Sequence, residues 1–237
     1  MDVHAILQRY AAGDRTFSNL DLREADLIHA HLENANFSHT DFRQARLGKT
    51  NFSQTVLTQA DLSEAILWGT DFSQADLTEA VLRETDLSGA KLTYAILNRA
   101  NLSKASLGGA NLAHANLSNA ILFDADLRPS SDQRTDLGYA VLSGADLSYA
   151  NLSEVLLYRA NLDGAKLCRA KLNRRSSPTT WITDLSEASL RNADLSYADF
   201  TGAILRKADL SGADITGTIL ADADLSGAIL PDGTVHE

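Results

Sequence analysis

The sequence has only one cysteine, three prolines and two tryptophans among its 237 residues. Because the single thiol, Cys168, cannot form an internal disulfide, we expect a fold without such a bond, in a reducing compartment. No stretch approaches the ~20 consecutive apolar residues of a membrane span, and the N-terminus lacks the basic start and apolar core of a signal peptide. These absences predict a cytoplasmic protein with no membrane partner.

Sequence signals for chemistry are also missing. The formal net charge is -10, and the acidic residues are scattered, so neither a basic nucleic-acid surface nor an acidic tail is indicated. There is no glycine-rich phosphate loop, no nucleophile elbow and no paired cysteine motif. The histidines His29, His31 and His39 fall on different predicted sides of the chain, which disfavours a metal site. We therefore expect no catalytic residues, no metal and no cofactor.

A repeat of five residues fills almost the whole chain. Each unit centres on a large apolar residue, and the centres form three blocks of 23, 8 and 10 units, at residues 17–127, 137–172 and 185–230. Of these 41 centres 34 are Leu, and Ala lies two residues before 30 of them. A period of five matches neither the 3.6 residues of a helix turn nor the alternation of a strand. The pattern indicates a chain that bends once per unit and points every centre at a common axis.

The unit, Ala, Asp or Asn, Leu, a polar residue and any residue, resembles the pentapeptide-repeat family; "ADLSYANLSE" at residues 145–154 contains two copies. The resemblance implies an all-β fold, a right-handed quadrilateral β-helix in which four five-residue units make each coil. In such a coil the centres form the structural core, as represented by Leu62, Leu87, Leu102, Leu147 and Leu195.

Two spacings support a coil of four units. Phe17 and Phe37 are 20 residues apart, as are Phe52 and Phe72, so bulky residues would stack on one side. Four cations replace the usual Asp or Asn before a centre, and 20 residues before them lie three acids and one Asn. Because neighbouring rungs are ~4.8 Å apart, a cation over an acid relieves the repulsion between stacked carboxylates. These cations are Arg46, Lys91, Lys166 and Lys171, over Asp26, Asp71, Asp146 and Asn151.

The two ends of the chain differ. Residues 1–14 predict a capping helix, with Asp2 as its N-cap and Gly13 at its end. Its apolar face is predicted to consist of Val3, Ile6, Leu7 and Tyr10. Residues 15–230 form a single β-helix in this interpretation, and residues 231–237, "PDGTVHE", form a C-terminal tail with a turn and no comparable helix.

Two segments, at about residues 128–135 and 173–184, interrupt the repeat. The first keeps the five-residue frame but places Asp132 where Leu is expected, which predicts a surface loop replacing one edge. The second separates the centre Leu172 from the next centre, Leu185, so that three extra residues break the frame. Loops on rigid scaffolds often carry function, which makes Arg128, Asp132 and Arg134 candidates for partner binding. The alternative is that both loops are tolerated insertions.

Some outward positions carry large apolar residues instead of polar ones. They are candidates for binding a protein partner, because interfaces favour exposed aromatic residues beside aliphatic ones. The alternative is that outward apolar residues stack on one another and stabilise the wall. The candidates are Trp68, Ile121, Phe123, Leu156 and Tyr158. Counting coils of four units places Val56, Ile96 and Leu156 on one side, and Val81, Ile121 and Val141 on the next.

Several segments, through residues that the repeat does not specify, resemble a cyanobacterial branch of the same family. They are "LRPSSDQRTDLGYA" at residues 127–140, "NLDGAKLCRA" at 161–170, "AILRKADLSGADITG" at 203–217 and the ending "PDG". This resemblance implies a monomeric, non-enzymatic interaction scaffold that promotes heterocyst differentiation and counters its peptide-mediated inhibition. Its partner would be a protein of heterocyst pattern control, the activator or its inhibitors, with no direct nucleic-acid binding.

Other members of the family suggest an alternative function, an acidic DNA mimic that binds DNA gyrase or topoisomerase. The net charge of -10 agrees with it. The basic residues of the segment 159–175 interrupt the continuous negative track that a duplex mimic needs, and the ending cannot form the apolar C-terminal helix that joins those dimers. The interaction scaffold is therefore the favoured hypothesis.

Overall fold

The structure, a computed structural model, describes residues 3–173 and 181–237. It begins with helix α1, Val3–Ala11, which covers the first coil; the predicted N-cap Asp2 lies outside the described residues. Ile6 is fully buried and Val3 and Tyr10 pack against the core, but Leu7 is 36% exposed, so the predicted apolar face is wrong at that residue. Over the described ranges, no helix is both long and apolar enough to cross a membrane.

The repeat region is a right-handed quadrilateral β-helix, which confirms the predicted fold class. Its rungs are parallel bridges between single residues four units apart, from Thr16–Asn36 to Ser106–Asp126 without interruption. Every residue of these parallel bridges immediately precedes a unit centre. No longer strand occurs in the described residues, because the chain turns a corner after each bridge.

The corners explain why Asp or Asn precedes so many centres. The side-chain oxygen Oδ1 of Asn36 accepts a hydrogen bond from the backbone N–H of Ser38 at 2.9 Å, and Asp61 does the same for Ser63 at 3.0 Å. This is an Asx-turn, in which the side chain organises the backbone two residues later. The following residue then takes a positive φ, 57° in His39, which tightens the corner. The five-residue pattern by itself indicated no role for these acids beyond their charge.

The core is a column of centres and alanines along the axis. The five leucines selected from the sequence are all 0% exposed. Phenylalanines at the same position of successive coils stack as expected: the ring centroids of Phe17 and Phe37 are 5.2 Å apart, and those of Phe52 and Phe72 are 5.6 Å apart. Buried threonines replace some alanines and satisfy their hydroxyls internally, as Thr50 does by donating to the carbonyl of Leu27 at 2.7 Å.

Both interruptions of the repeat are insertions that leave the four walls complete. Asn111 bridges Asp136 rather than Ser131, so the first loop adds five residues to one coil and replaces no edge, contrary to the prediction. Leu156 bridges Asp184, so the second loop adds eight residues to its coil rather than three. The five-residue count missed these lengths because an insertion of one whole unit does not change the frame.

The C-terminal tail is more ordered than a simple turn. Ile229 and Val235 form an antiparallel bridge, and the backbone N–H of Leu230 donates to the carbonyl of Thr234 at 2.7 Å. The chain thus folds back as a short hairpin on one wall of the last coil.

Candidate partner-binding surfaces

Both loops leave the β-helix at the same corner. Asp126, Asn151 and Lys171 lie on one wall in successive rungs, and the loops follow the first and the third of them. The coil that contains Asn151 therefore has its corresponding corner between the two loops. There Ser153 and Glu154 are only 3% exposed, although most residues at such corners are exposed.

Arg134 joins the two loops. Its guanidinium donates to the carbonyl oxygen of Glu154 from Nε at 2.8 Å and to that of Val155 from Nη2 at 3.1 Å. Nη2 also donates to the carbonyl of Ile182, at the end of the second loop. Burial lowers the pKa of Arg134, while the nearby carboxylates of Asp184, Asp136 and Glu154 oppose this shift. The candidate partner-binding residue Arg134 is thus half-buried and bonded to the protein's own backbone.

The other two loop candidates lie nearer the surface. Arg128 pairs with Asp126, with its Nη2 2.5 Å from Oδ2, and Asp132 accepts a hydrogen bond from the Ser130 hydroxyl at 3.0 Å at the exposed tip. A polar cleft of about 480 Å³ opens beside this loop, lined by residues that include Lys91, Gln133 and Asp136. No group of three or more His, Cys, Asp or Glu side chains within residues 3–173 and 181–237 is placed to hold a metal ion.

The structure distributes the five apolar candidates over three different corners and their adjoining walls. Trp68 lies alone, half-buried against Gly48 of the preceding coil, with Lys49 Nζ 5.1 Å from the centre of its ring. Ile121 and Phe123 lie together, on a wall and the corner that follows it, and are 40% and 39% exposed. Leu156 and Tyr158 lie together elsewhere and are half-buried.

The bridges also correct the predicted sides of the outward apolar residues. Val56, Ile96 and Val141 share one wall, whereas Leu156 lies on another, because the first loop shifts every later residue by five. The bridge partners of Ile96 are Asp76 and Asn116. The other outward apolar bridge residues from Val56 to Ile219 likewise have only polar bridge partners. Direct stacking of these residues on one another therefore does not explain them.

An aromatic column runs beside Tyr158. The His114 ring lies between Tyr94 and Tyr139, with centroid distances of 4.7 and 4.8 Å and nearly parallel planes, and Tyr158 meets Tyr139 edge-on at 5.5 Å. Arg159 lies over the Tyr158 ring at 5.1 Å and pairs with Glu187 at 2.7 Å. This column was not predicted from the sequence. The step of 20 residues from Tyr94 to His114 follows the repeat, but the next step, to Tyr139, contains the first loop.

A second column lies on the opposite corner, beside Phe123. Tyr149 meets Phe123 at 5.4 Å, and the guanidinium of Arg169 lies between the rings of Tyr149 and Tyr197, at 5.9 and 5.6 Å from their centres. Such cation–π contacts hold the three side chains in a line. Both columns are exposed, so the rod offers aromatic side chains along two opposite edges.

Comparison with known proteins gives a family and a relative that matches over the full length. A family model described as pentapeptide repeats matches residues 21–59, 55–93, 95–128, 135–174 and 183–220. The crystal structure of HetL, a pentapeptide repeat protein involved in heterocyst differentiation regulation from the cyanobacterium Nostoc sp. strain PCC 7120, is 61% identical in sequence. The match covers 100% of both chains with a TM-score of 0.98.

Other solved structures are much less similar. A pentapeptide repeat protein of the Arabidopsis thaliana thylakoid lumen is 27% identical over 56% of this chain and 69% of its own, with a TM-score of 0.35. The plasmid-mediated fluoroquinolone resistance protein QnrB1 is 20% identical over 92% of this chain and 84% of its own, with a TM-score of 0.40. The search of curated proteins gives no match.

Proposed function

Because the chain belongs to the pentapeptide-repeat family, we propose that it is a non-enzymatic interaction scaffold that promotes heterocyst differentiation. The observation that carries the proposal is the likeness to HetL, which extends over 100% of both chains at 61% identity. A match of that extent includes the helical cap and both inserted loops, which the repeat alone does not require. These are the parts of a solenoid in which individual proteins of one fold differ.

The surface supports a role in binding rather than catalysis. The exposed side chains that vary along the rod include aromatic, aliphatic and ionic groups, and the interior is filled mainly with alanine, leucine and phenylalanine. A rigid rod with two aromatic columns suits the display of a fixed surface to another protein, since such residues lose little rotamer freedom on binding. The proposed partner is the activator of differentiation or one of its inhibitors, and the effect is to counter peptide-mediated inhibition.

The test is expression in a heterocyst-forming filament that overproduces the inhibitory peptide. We expect heterocysts to return when the wild-type chain is produced and to stay absent with the core variant Leu102→Asp, which should not fold. The two proteins are compared by immunoblot, and filaments are scored by microscopy. Folded wild-type protein that leaves the filaments undifferentiated would refute the proposal.

The gyrase-binding alternative stays a prediction. Its support is the net charge of -10. On the rod, the exposed cations Lys166, Arg169 and Lys171 interrupt the negative surface at one corner. Inhibition of gyrase supercoiling by the purified protein, without any effect on filaments, would favour this alternative over the scaffold.

A further inference from the structure

Unpaired cations gather on one edge of this acidic rod. Most exposed arginines of the described residues pair with a carboxylate, as Arg46 does with Asp26 at 2.9 Å and Arg191 with Asp163 at 2.6 Å. Four exposed cations on the edge beside Phe123 do not take part in any ion pair found in residues 3–173 and 181–237. They are Lys104, Lys166, Arg169 and Lys171.

Backbone register places these cations beside the second aromatic column. Lys104 donates its N–H to the carbonyl of Phe123 at 2.9 Å, and Tyr149 donates to Cys168 at 3.0 Å, so the residues follow one another coil by coil along one corner. Lys166 and Lys171 lie on the two walls that meet at Arg169. We call this surface the cationic corner; it consists of Lys104, Phe123, Tyr149, Lys166, Arg169, Lys171 and Tyr197.

The aromatic residues of the cationic corner are accessible. Tyr149 is 47% exposed, Tyr197 is 56% exposed and Phe123 is 39% exposed. Arg169 is held between two tyrosines rather than by an acid, so its charge remains available to a ligand. Aromatic and cationic groups in alternation match a ligand that offers both carboxylates and apolar side chains.

Geometry favours an extended ligand. From Lys104 to Tyr197 the corner rises by four coils, which at ~4.8 Å per coil is about 19 Å. An extended peptide of about six residues has that length. A nucleic acid fits less well, because its closely spaced phosphates would meet Asp124 on the corner and Asp146 and Asp194 on the adjoining wall. Separated carboxylates on a peptide can each contact one cation, which matters at Lys166 because its bridge partners are Asp146 and Asp194.

We propose that the cationic corner binds an extended acidic segment of a protein partner, with its carboxylates at Lys166, Arg169 and Lys171 and its apolar side chains on Phe123, Tyr149 and Tyr197. This inference deepens the proposed scaffold function and rests on it only in taking the ligand to be a protein. It adds the chemistry of the partner and the edge of the rod that the partner contacts.

The test measures fluorescence anisotropy of a labelled peptide built from Glu, Phe and Ser. The full chain is compared with the triple variant Lys166→Glu, Arg169→Glu, Lys171→Glu. A matched control, Lys49→Glu, Arg99→Glu, Lys207→Glu, changes the net charge equally at exposed cations on other corners. We expect the first variant to bind at least about tenfold more weakly and the control to stay within about twofold of wild type. Circular dichroism confirms that both variants are folded.

A second pair of variants tests the aromatic part. Tyr197→Ala should weaken binding, whereas Tyr94→Ala, at a tyrosine of similar exposure on the opposite edge, should not. Equal losses of affinity in the two charge variants would overturn the proposal. So would wild-type protein that binds a single-stranded oligothymidine, or the same peptide with Lys in place of Glu, as tightly as it binds the acidic peptide. Peptide affinity is measured without filaments. The peptide-binding proposal can therefore fail while the filament test supports the proposed function, and the filament test can fail while the peptide binds.

Discussion

The Nε of Arg134 lies 2.8 Å from the carbonyl oxygen of Glu154, and this contact fastens one inserted loop to the coil that follows it. The same guanidinium reaches the carbonyl of Ile182 at the end of the second loop. Glu154 has a positive φ of 68° and a side-chain Oε1 with no hydrogen-bond partner in the described part of the chain. Arg134 thus holds a strained, buried corner together with Thr183, whose hydroxyl accepts a hydrogen bond from the backbone N–H of Glu154 at 2.7 Å.

Arg134→Met should therefore destabilise the protein. The substitution removes the donor that the carbonyls of Glu154 and Ile182 share, whereas the Val155 carbonyl still accepts from the backbone N–H of Asp184 at 3.1 Å. The expected loss in the free energy of unfolding is about 2–3 kcal/mol. Urea denaturation measures it, and amide hydrogen exchange should show faster exchange at Glu154 and Leu156 than at Leu102. The matched control is Arg128→Met, whose exposed partner is Asp126; it should cost less than about 1 kcal/mol. Equal costs for the two substitutions would contradict this assignment.

Gly48→Ala should displace the indole of Trp68. A Cβ at residue 48 would lie 2.6 Å from both Cε2 and Nε1 of that ring, which is too close for any contact between carbon and these atoms. We expect a cost of about 1–3 kcal/mol and a change in tryptophan emission, recorded with Trp181→Phe as background so that only Trp68 emits. When Gly48→Ala is introduced into the Trp68→Ala variant, the free energy of unfolding should change very little. An undiminished cost there would show that the clash lies elsewhere.

Deletion of residues 129–133 should leave the β-helix folded. The bridges show that the first loop adds five residues to one coil, and the deletion joins Arg128 to Arg134 in the sequence "LRRTDL", a regular unit. Because the entropic cost of loop closure changes little with loop length, we expect the free energy of unfolding to stay within about 1 kcal/mol of wild type, as measured by thermal melting. Loss of cooperative melting would mean that the loop is needed for the fold. A folded deletion protein that no longer restores heterocysts would assign the loop a function.

Acid should destabilise the rod, in part by protonating two aspartates of the first coils that pair with arginines. Hydrogen bonds from Arg23 lower the pKa of Asp21 to about 2, and Arg43 likewise lowers the pKa of Asp41. A carboxyl whose pKa is lowered by folding stabilises the protein fully above its unfolded pKa of about 3.9, and this contribution is lost as the pH falls through the folded value. We expect the urea midpoint to be unchanged from about pH 7 to pH 5 and to decrease below about pH 4.

The control for this prediction is the pair Asp21→Asn and Asp41→Asn. The amide oxygen still accepts from the backbone N–H two residues later, at Arg23 and Arg43, so the turns are kept while the titration is removed. The double variant should show a shallower decrease between about pH 4 and pH 2 than wild type. Identical slopes would mean that other carboxylates control the acid transition.

The buried core follows from the residue pattern alone, and the coil of four units follows from the family resemblance together with two spacings in the sequence. Leu102 and Leu147 are buried because one large apolar residue in five can only be buried if the chain turns once per unit. The stacking of Phe17 on Phe37 and the ion pair of Arg46 with Asp26 were both predicted from a spacing of four units. These contacts lie in uninterrupted coils, in which distance along the chain converts directly into position on the rod.

The surfaces required the coordinates. Leu156 lies on a different wall from the predicted one, and Arg169 meets Tyr197 across the second loop, because the loops add five and eight residues that the local repeat does not count. The sequence makes Arg134 a candidate for partner binding, but two loops that converge on one corner half-bury it. A residue in a solenoid contacts the coils above and below it, so its neighbours depend on the length of every loop inserted between them. Those lengths are fixed only in the folded structure, where the bridges define each coil.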